Sequence, residues 1–148
     1  MKIRTFEFDS ATYKEALDIR DEVLRKPLGM SIFKDNLEGD RTDFHIGAFQ
    51  NDQLVGCLIL HPLPNGELKM RQVAVRSSLQ TAGIGKAMVQ FAESFAIEKN
   101  HDQMVLHARK VVVGFYQKLG YKTEGEEFTE VGIPHFRMFK ILTIDPDN

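Results

Sequence analysis

The chain has 148 residues, 43% of them apolar and 27% charged, and a formal net charge of −2. That length suits one domain with a sizeable core, and that composition belongs to a soluble globular protein, not to a disordered or membrane-embedded one. A charge so near balance, with no dense basic run, gives no pull toward nucleic acid, and no apolar run is long enough to span a bilayer.

The single cysteine, Cys57, excludes an internal disulfide, and within Val55-Gly56-Cys57-Leu58-Ile59-Leu60 it reads as a small buried hydrophobe. His45, His61, His101, His107 and His135 include no close ligand pair, so no metal site is expected. The opening MKIRTFEFDS has no apolar secretion core, which makes the cytoplasm the expected location.

Lys2 to Phe8 alternates as a strand does. Asp9 or Ser10 then caps a helix with Tyr13, Ala16, Leu17, Val23 and Leu24 at helical spacing, which Pro27 and Gly29 end. Residues 31 to 38 read as a second short helix. Phe44 to Phe49 is a strand, Asn51-Asp52 supplies hairpin chemistry, and Gln53 to His61 returns antiparallel to it. Pro62, Pro64, Asn65 and Gly66 turn the chain into a fourth strand, Glu67 to Arg76.

Next comes Arg76 to Gly85, a loop closed by two glycines, and then a helix with Ile84, Ala87, Met88, Phe91, Ala92 and Phe95 on one stripe. After a polar break at Asn100 to Gln103, Met104 to Arg109 is a buried strand, expected to lie parallel to the fourth. Val111-Val112-Val113 favours a strand by propensity, but Val112, Phe115, Tyr116 and Leu119 mark a helical stripe that stops at Gly120, so Lys110 to Leu119 is read as helix. Two more strands follow, near Tyr121 to Phe128 and His135 to Thr143, separated by Gly132-Ile133-Pro134. Asp145 to Asn148 is read as a frayed tail. The order predicts an α/β (α+β) domain over 1–148: a mixed, mostly antiparallel sheet of six to seven strands with about four helices.

A glycine loop that runs into a helix leaves the first helical N–H groups without partners, at the positive end of the helix dipole, and such a place suits phosphate. It is not a P-loop, because Ala87 stands where a magnesium-binding Ser or Thr would follow Gly85-Lys86. Nor is it a dinucleotide fingerprint, because Met88 replaces the third glycine. What remains, Gln80-Thr81-Ala82-Gly83-Ile84-Gly85 after an apolar strand end, closely resembles the Q/R-x-x-G-x-G/A pyrophosphate signature of the GNAT superfamily of acyl-CoA N-acyltransferases. Phe115-Tyr116-Gln117-Lys118-Leu119-Gly120-Tyr121 is similar to the family's FY-x-K-L-G-F stretch, and Gly132-Ile133-Pro134-His135 is similar to a branch with a G-I-P-H ending.

The resemblance implies a parallel strand pair, the fourth and fifth, that splays to admit acyl-CoA, and direct attack of a primary amine on its thioester. The donor is expected to be acetyl-CoA, and the acceptor an amine of a small molecule or of a protein. It implies that Gln80 shapes the turn and that the amides of Thr81, Ala82, Gly83, Ile84, Gly85 and Lys86 hold the pyrophosphate. Main-chain groups around Val73, Ala74 and Val75 would meet the pantetheine, with Phe115 beside the cofactor. Tyr116 would be the general acid, its phenol protonating the departing thiolate in a transfer expected to run downhill.

Three side chains are candidates for the base: His107, His135, and Glu67 acting through water. Arg71 stands where the family often places a glutamate. Arg20, Arg25 and Lys26 read as a solvated helix face. No nucleic-acid or membrane partner is expected, and the resemblance admits a homodimer. The competing reading is a non-catalytic acyl-CoA-binding domain on the same scaffold; a nucleotide phosphate binder of another fold is the third.

Overall fold

The structure, a computed structural model, describes residues 1–143, so the expected tail at 145–148 lies outside it. Seven strands are present: β1 (Lys2–Phe6), β2 (Phe44–Gln50), β3 (Gln53–Pro62), β4 (Glu67–Val75), β5 (Gln103–Arg109), β6 (Lys122–Glu130) and β7 (Ile133–Ile141). Among the described residues three α-helices join them: α1 (Ala11–Arg20), α2 (Ile84–Glu98) and α3 (Val113–Lys118). Hydrogen bonding orders the strands β1-β2-β3-β4-β5-β7-β6. The pairs β1–β2, β2–β3, β5–β7 and β6–β7 are antiparallel, whereas β4 and β5 are parallel. The described residues form two compact units, and β4 and α2 contribute to both.

The first unit holds Met1–His61 and Arg71–Ala92. Ser10 caps α1 as its sequence suggests, its hydroxyl accepting from the Tyr13 N–H. The helix continues through one π-helical turn, Asp21–Arg25, and ends at Gly29 in the left-handed region. Tyr13, Ala16, Leu17 and Ile19 bury one face of α1 with Phe49, Leu54, Cys57 and Ala74. Each large apolar side chain so buried contributes about 1.5–3 kcal/mol.

The short helix expected at 31–38 is only a 3₁₀ turn, Ile32–Lys34, with a second at Glu38–Thr42. This segment is held by side chains instead of a helical ladder. Asp21 Oδ1 accepts from the Ile32 N–H at 2.9 Å, and Arg25 Nη2 pairs with Asp35 at 2.8 Å. Arg20 and Arg25 are therefore not a solvated face. Arg20 is 2% exposed and bound to Asp40 at 2.9 Å, because the side of α1 that carries Arg20 turns toward the 3₁₀ segment.

The second unit holds Pro62–Met70 and the chain from Glu93 on. Alternation along the strands sorts its two sheet faces. Leu68, Met70, Met104, Leu106 and Met138 are buried on one face. Glu67 and Lys69 of β4, His107 of β5 and Arg137 of β7 lie on the other. Val131 and Gly132, at φ of 47° and 77°, make a two-residue turn between β6 and β7, so the expected loop Gly132-Ile133-Pro134 is shorter and Ile133 and Pro134 belong to β7. That register sets His135 opposite Phe128.

Candidate active site

Gly83 sits immediately before α2 at φ +79°, and its carbonyl accepts from the Ala87 N–H at 3.1 Å. Having no side chain, it cannot cap the helix. Nothing lies within 4 Å of the position a Cβ would take, so the approach to the main chain there is open. The first turn of α2 carries no acidic residue, and Lys86 adds positive charge to the positive end of the dipole. Among the described residues no side chain accepts from the amides of Thr81, Gly83, Ile84, Gly85 or Lys86. The Ala82 N–H, by contrast, is already bonded to the Leu79 carbonyl at 3.1 Å.

Gln80 does what a turn-shaping residue should: its side-chain amide donates to the Val75 carbonyl at 3.1 Å and ties the loop to the end of β4. One main-chain acceptor expected to face pantetheine is thereby occupied. Ala74 and Val75 are buried. Pairing of β4 with β5 covers Glu67 to Met70, and two residues on, Gln72 takes φ +54° inside the strand. Its side-chain oxygen accepts from Arg20 Nε at 3.3 Å. A non-glycine residue with positive φ in mid-strand breaks the regular pleat, and burial of its partner Arg20 holds it there.

In the second unit, Tyr116 lies in α3 with Phe115 and Tyr121 packed edge-on at 5.0 and 5.7 Å. Burial pushes its phenol above the ordinary value. Its hydroxyl makes no hydrogen bond among the described residues, yet it is not sealed in, since the buried side-chain polar atom without a partner there is His101 Nδ1. A phenol, near 10, is already a weaker acid than a thiol, near 8.5. Proton transfer from Tyr116 to a free thiolate is thus uphill, contrary to the downhill expectation, and burial steepens it. Phe115 is 38% exposed and offers an apolar surface beside it.

The three candidate bases part company. Glu67 is occupied by Arg137 Nη2 at 3.2 Å, and Arg137 also holds Glu124 at 3.0 Å. His107 and His135 converge on one carboxylate, Glu130, at 3.0 and 3.7 Å. Sequence reasoning missed Glu130; its signal was strand alternation, which puts it on the same side of β6 as Phe128. Arg71 reaches Asp43 at 3.4 Å, and Asp43 also accepts from His61 Nδ1 at 2.7 Å.

A model of the acetyltransferase (GNAT) domain matches residues 15–142. The chain belongs to the GNAT acetyltransferase family. A Bacillus subtilis protein, named provisionally as an acetyltransferase, is 32% identical over 130 residues, which cover 84% of this chain and 86% of that one. A provisionally named N-acetyltransferase of Lactobacillus plantarum superposes with a TM-score of 0.86 at 22% identity, covering 96% of this chain and 98% of its own. An aminoglycoside 6'-N-acetyltransferase solved with coenzyme A superposes with a TM-score of 0.79 at 19% identity, covering 99% and 100%. At these identities the two solved structures bear on the fold. As a member of that family the protein is an acyl-CoA-dependent acyltransferase. No described helix is long and apolar enough to cross a bilayer.

Proposed function

We propose that the protein transfers the acetyl group of acetyl-CoA to a primary amine, on a small molecule or on a protein, and that residues 1–148 work as one catalytic domain. The observation that carries this reading is the bare start of α2: a positive-φ glycine, no side-chain cap, no acid in the first turn and a lysine in it. A diphosphate is the ligand such a start suits. The amides of Thr81, Gly83, Ile84, Gly85 and Lys86 would hold it, with Gln80 bracing the turn and main-chain groups from Val73 to Val75, other than the Val75 carbonyl, meeting the pantetheine.

Tyr116 is the proton donor to sulfur. The uphill transfer is eased if the thiolate departs into surroundings as poorly solvated as those of the phenol, because desolvation raises the basicity of both. The amine nitrogen forms its bond to the thioester carbonyl carbon, the carbon–sulfur bond breaks, and Tyr116 protonates the sulfur.

The test joins thermal shift to thiol release. CoA should raise the melting temperature where ATP does not. Release of CoA from acetyl-CoA should depend on an added amine, and Tyr116→Phe should lower kcat by about 10²–10⁴-fold with KM for acetyl-CoA little changed. Equal stabilisation by ATP overturns selectivity for CoA and makes the loop a nucleotide-phosphate site. Binding of acetyl-CoA without amine-dependent release makes the protein a sensor.

A further inference from the structure

We propose that His107 is the base that deprotonates the acceptor amine, and that Glu130 is the positioning residue that fixes its tautomer, with His135 and Phe128 holding Glu130 and the imidazole in place. The proposal rests on the acyl-transfer reading and assigns its missing base.

A carboxylate can only accept, so the 3.0 Å contact between His107 Nδ1 and Glu130 Oε1 requires the imidazole to carry its proton on Nδ1. In the neutral ring Nε2 then carries the lone pair, and it makes no hydrogen bond among the described residues. An imidazole so held is a base aimed away from its anchor. His135 is anchored the same way. Its Nδ1 donates to the Ile133 carbonyl at 2.9 Å, so it pairs with Glu130 Oε2, 3.7 Å from Nε2, only when Nε2 is protonated as well. His135 is 3% exposed, so it supports the cluster from within and does not meet the acceptor.

Phe128 stands edge-on to His107 at 5.0 Å and stacks with His135 at 5.9 Å, so both rings are wedged against rotation. Desolvation alone would raise the Glu130 carboxyl. The hydrogen bond from His107 outweighs it, helped by Lys69 and by the imidazoles when they are protonated, and keeps the carboxyl below its usual range.

The charged groups on this face include Glu67 and Lys69 from β4, Arg109 from β5, His135 and Arg137 from β7, and Glu124 and Glu130 from β6. Arg137 is engaged by Glu67 and Glu124, so it does not compete for Glu130. The helix that carries Tyr116 packs on β5, the strand that carries His107. The Lys140 ammonium lies over the ring of Tyr121, which packs against Tyr116, and strand parity puts Lys140 on the opposite face from Arg137 and His107. Tyr116 and His107 thus lie toward opposite faces of β5. The second imidazole–carboxylate pair, His61 with Asp43, shares its carboxylate with Arg71, which takes part of its charge.

The balance closes. An ammonium gives one proton to His107 Nε2; the freed lone pair forms the carbon–nitrogen bond; the carbon–sulfur pair leaves on sulfur and takes the proton of Tyr116. The second nitrogen proton restores the phenol, and His107 passes its own to water.

Two measurements test it. Long-range ¹H–¹⁵N spectra of the labelled protein at pH 8 should show His107 protonated on Nδ1. Glu130→Gln should keep that tautomer, because the amide oxygen still accepts from His107 and the amide NH₂ donates to His135, whereas Glu130→Ala should shift the proton to Nε2. With an amine that supports turnover, chosen from n-propylamine, spermidine and a glycyl peptide, His107→Ala should lower kcat by about 10²–10⁴-fold and recover with added imidazole. Glu130→Ala should fall by roughly tenfold or more, and Glu130→Gln by only a few-fold. An Nε2-protonated wild type, undiminished turnover in His107→Ala, or loss confined to His61→Ala overturns the assignment while leaving acyl transfer standing. No release with any amine in the wild type, beside the expected tautomer, overturns acyl transfer to amines instead.

Discussion

The carbonyl of Tyr116 accepts from the N–H of Tyr121 at 3.0 Å while their rings meet edge-on at 5.7 Å, so the residue that ends α3 also fixes the phenol within it. With the Gly120 N–H bonded to the Gln117 carbonyl at 3.0 Å, this is a Schellman closure whose left-handed residue is Gly120, at φ +95°. Gly120→Ala should cost about 1–2 kcal/mol, since an alanine there meets its own carbonyl. The Lys140 Cε, 3.3 Å from the new Cβ, would give way only by loosening its bonds to Leu119 and Glu93. Urea denaturation should show the loss, and kcat should fall with it as Tyr116 shifts.

The buried ion pair of α1 predicts a larger effect. Asp40 accepts from Arg20 at 2.9 Å and from the Tyr13 hydroxyl at 2.7 Å, and all three residues are buried. Asp40→Ala leaves a guanidinium uncompensated inside the protein, which costs about 3–5 kcal/mol. Asp40→Asn, which keeps an acceptor for one partner, should cost less. The two variants should rank in that order by thermal or urea unfolding.

Alkaline pH should destabilise the protein through its tyrosines. Burial raises the phenols of Tyr13, Tyr116 and Tyr121, with the Asp40 and Glu93 carboxylates adding to the first and last. Unfolded, each titrates near 10. Above that pH the unfolded chain binds fewer protons than the native one, so stability is intact below about 10 and then falls, by up to about 1.4 kcal/mol per pH unit for each tyrosine. Absorbance at 295 nm should show no phenolate in the native protein at pH 10.5 and a midpoint near 10 in urea. A native midpoint near 10 for any of the three would contradict its burial.

The thiol of Cys57 should be inert. It is fully enclosed, and burial pushes it up to about 12, with Arg20 and Arg76 only partly opposing the shift. Since thiolate is the reactive species, iodoacetamide at pH 8 should leave the native protein unmodified and label it stoichiometrically in urea.

Much of this was legible in the chain because it depends on local chemistry. The Ser10 cap, the Asn51-Asp52 turn, the stripe on α2, the glycine loop with Gln80 beside it and the stop at Gly120 all follow from residues a few positions apart, and the structure has each of them. The glycine loop and the FY-x-K-L-G stretch also carried the family. Where the reading failed, distance along the chain was the reason. Residues 31–38 read as a short helix, but Asp21, accepting from the Ile32 N–H, and Arg25, donating to Asp35, hold them as a turn. Arg20 reads as a surface cation until Asp40, twenty residues on, covers it.

Glu130 is the clearest case. Nothing in its neighbourhood marks it as special, and a turn drawn one residue later would set it elsewhere. Only the tertiary structure decided its place: the Val131–Gly132 turn fixes the β6–β7 register, and that register brings Glu130 to two imidazoles from different strands. Turns, caps and glycine conformations are set by neighbours in sequence and can be read from it. A carboxylate's partners are set by which strands lie side by side, and that is the outcome of burying the whole apolar pattern at once.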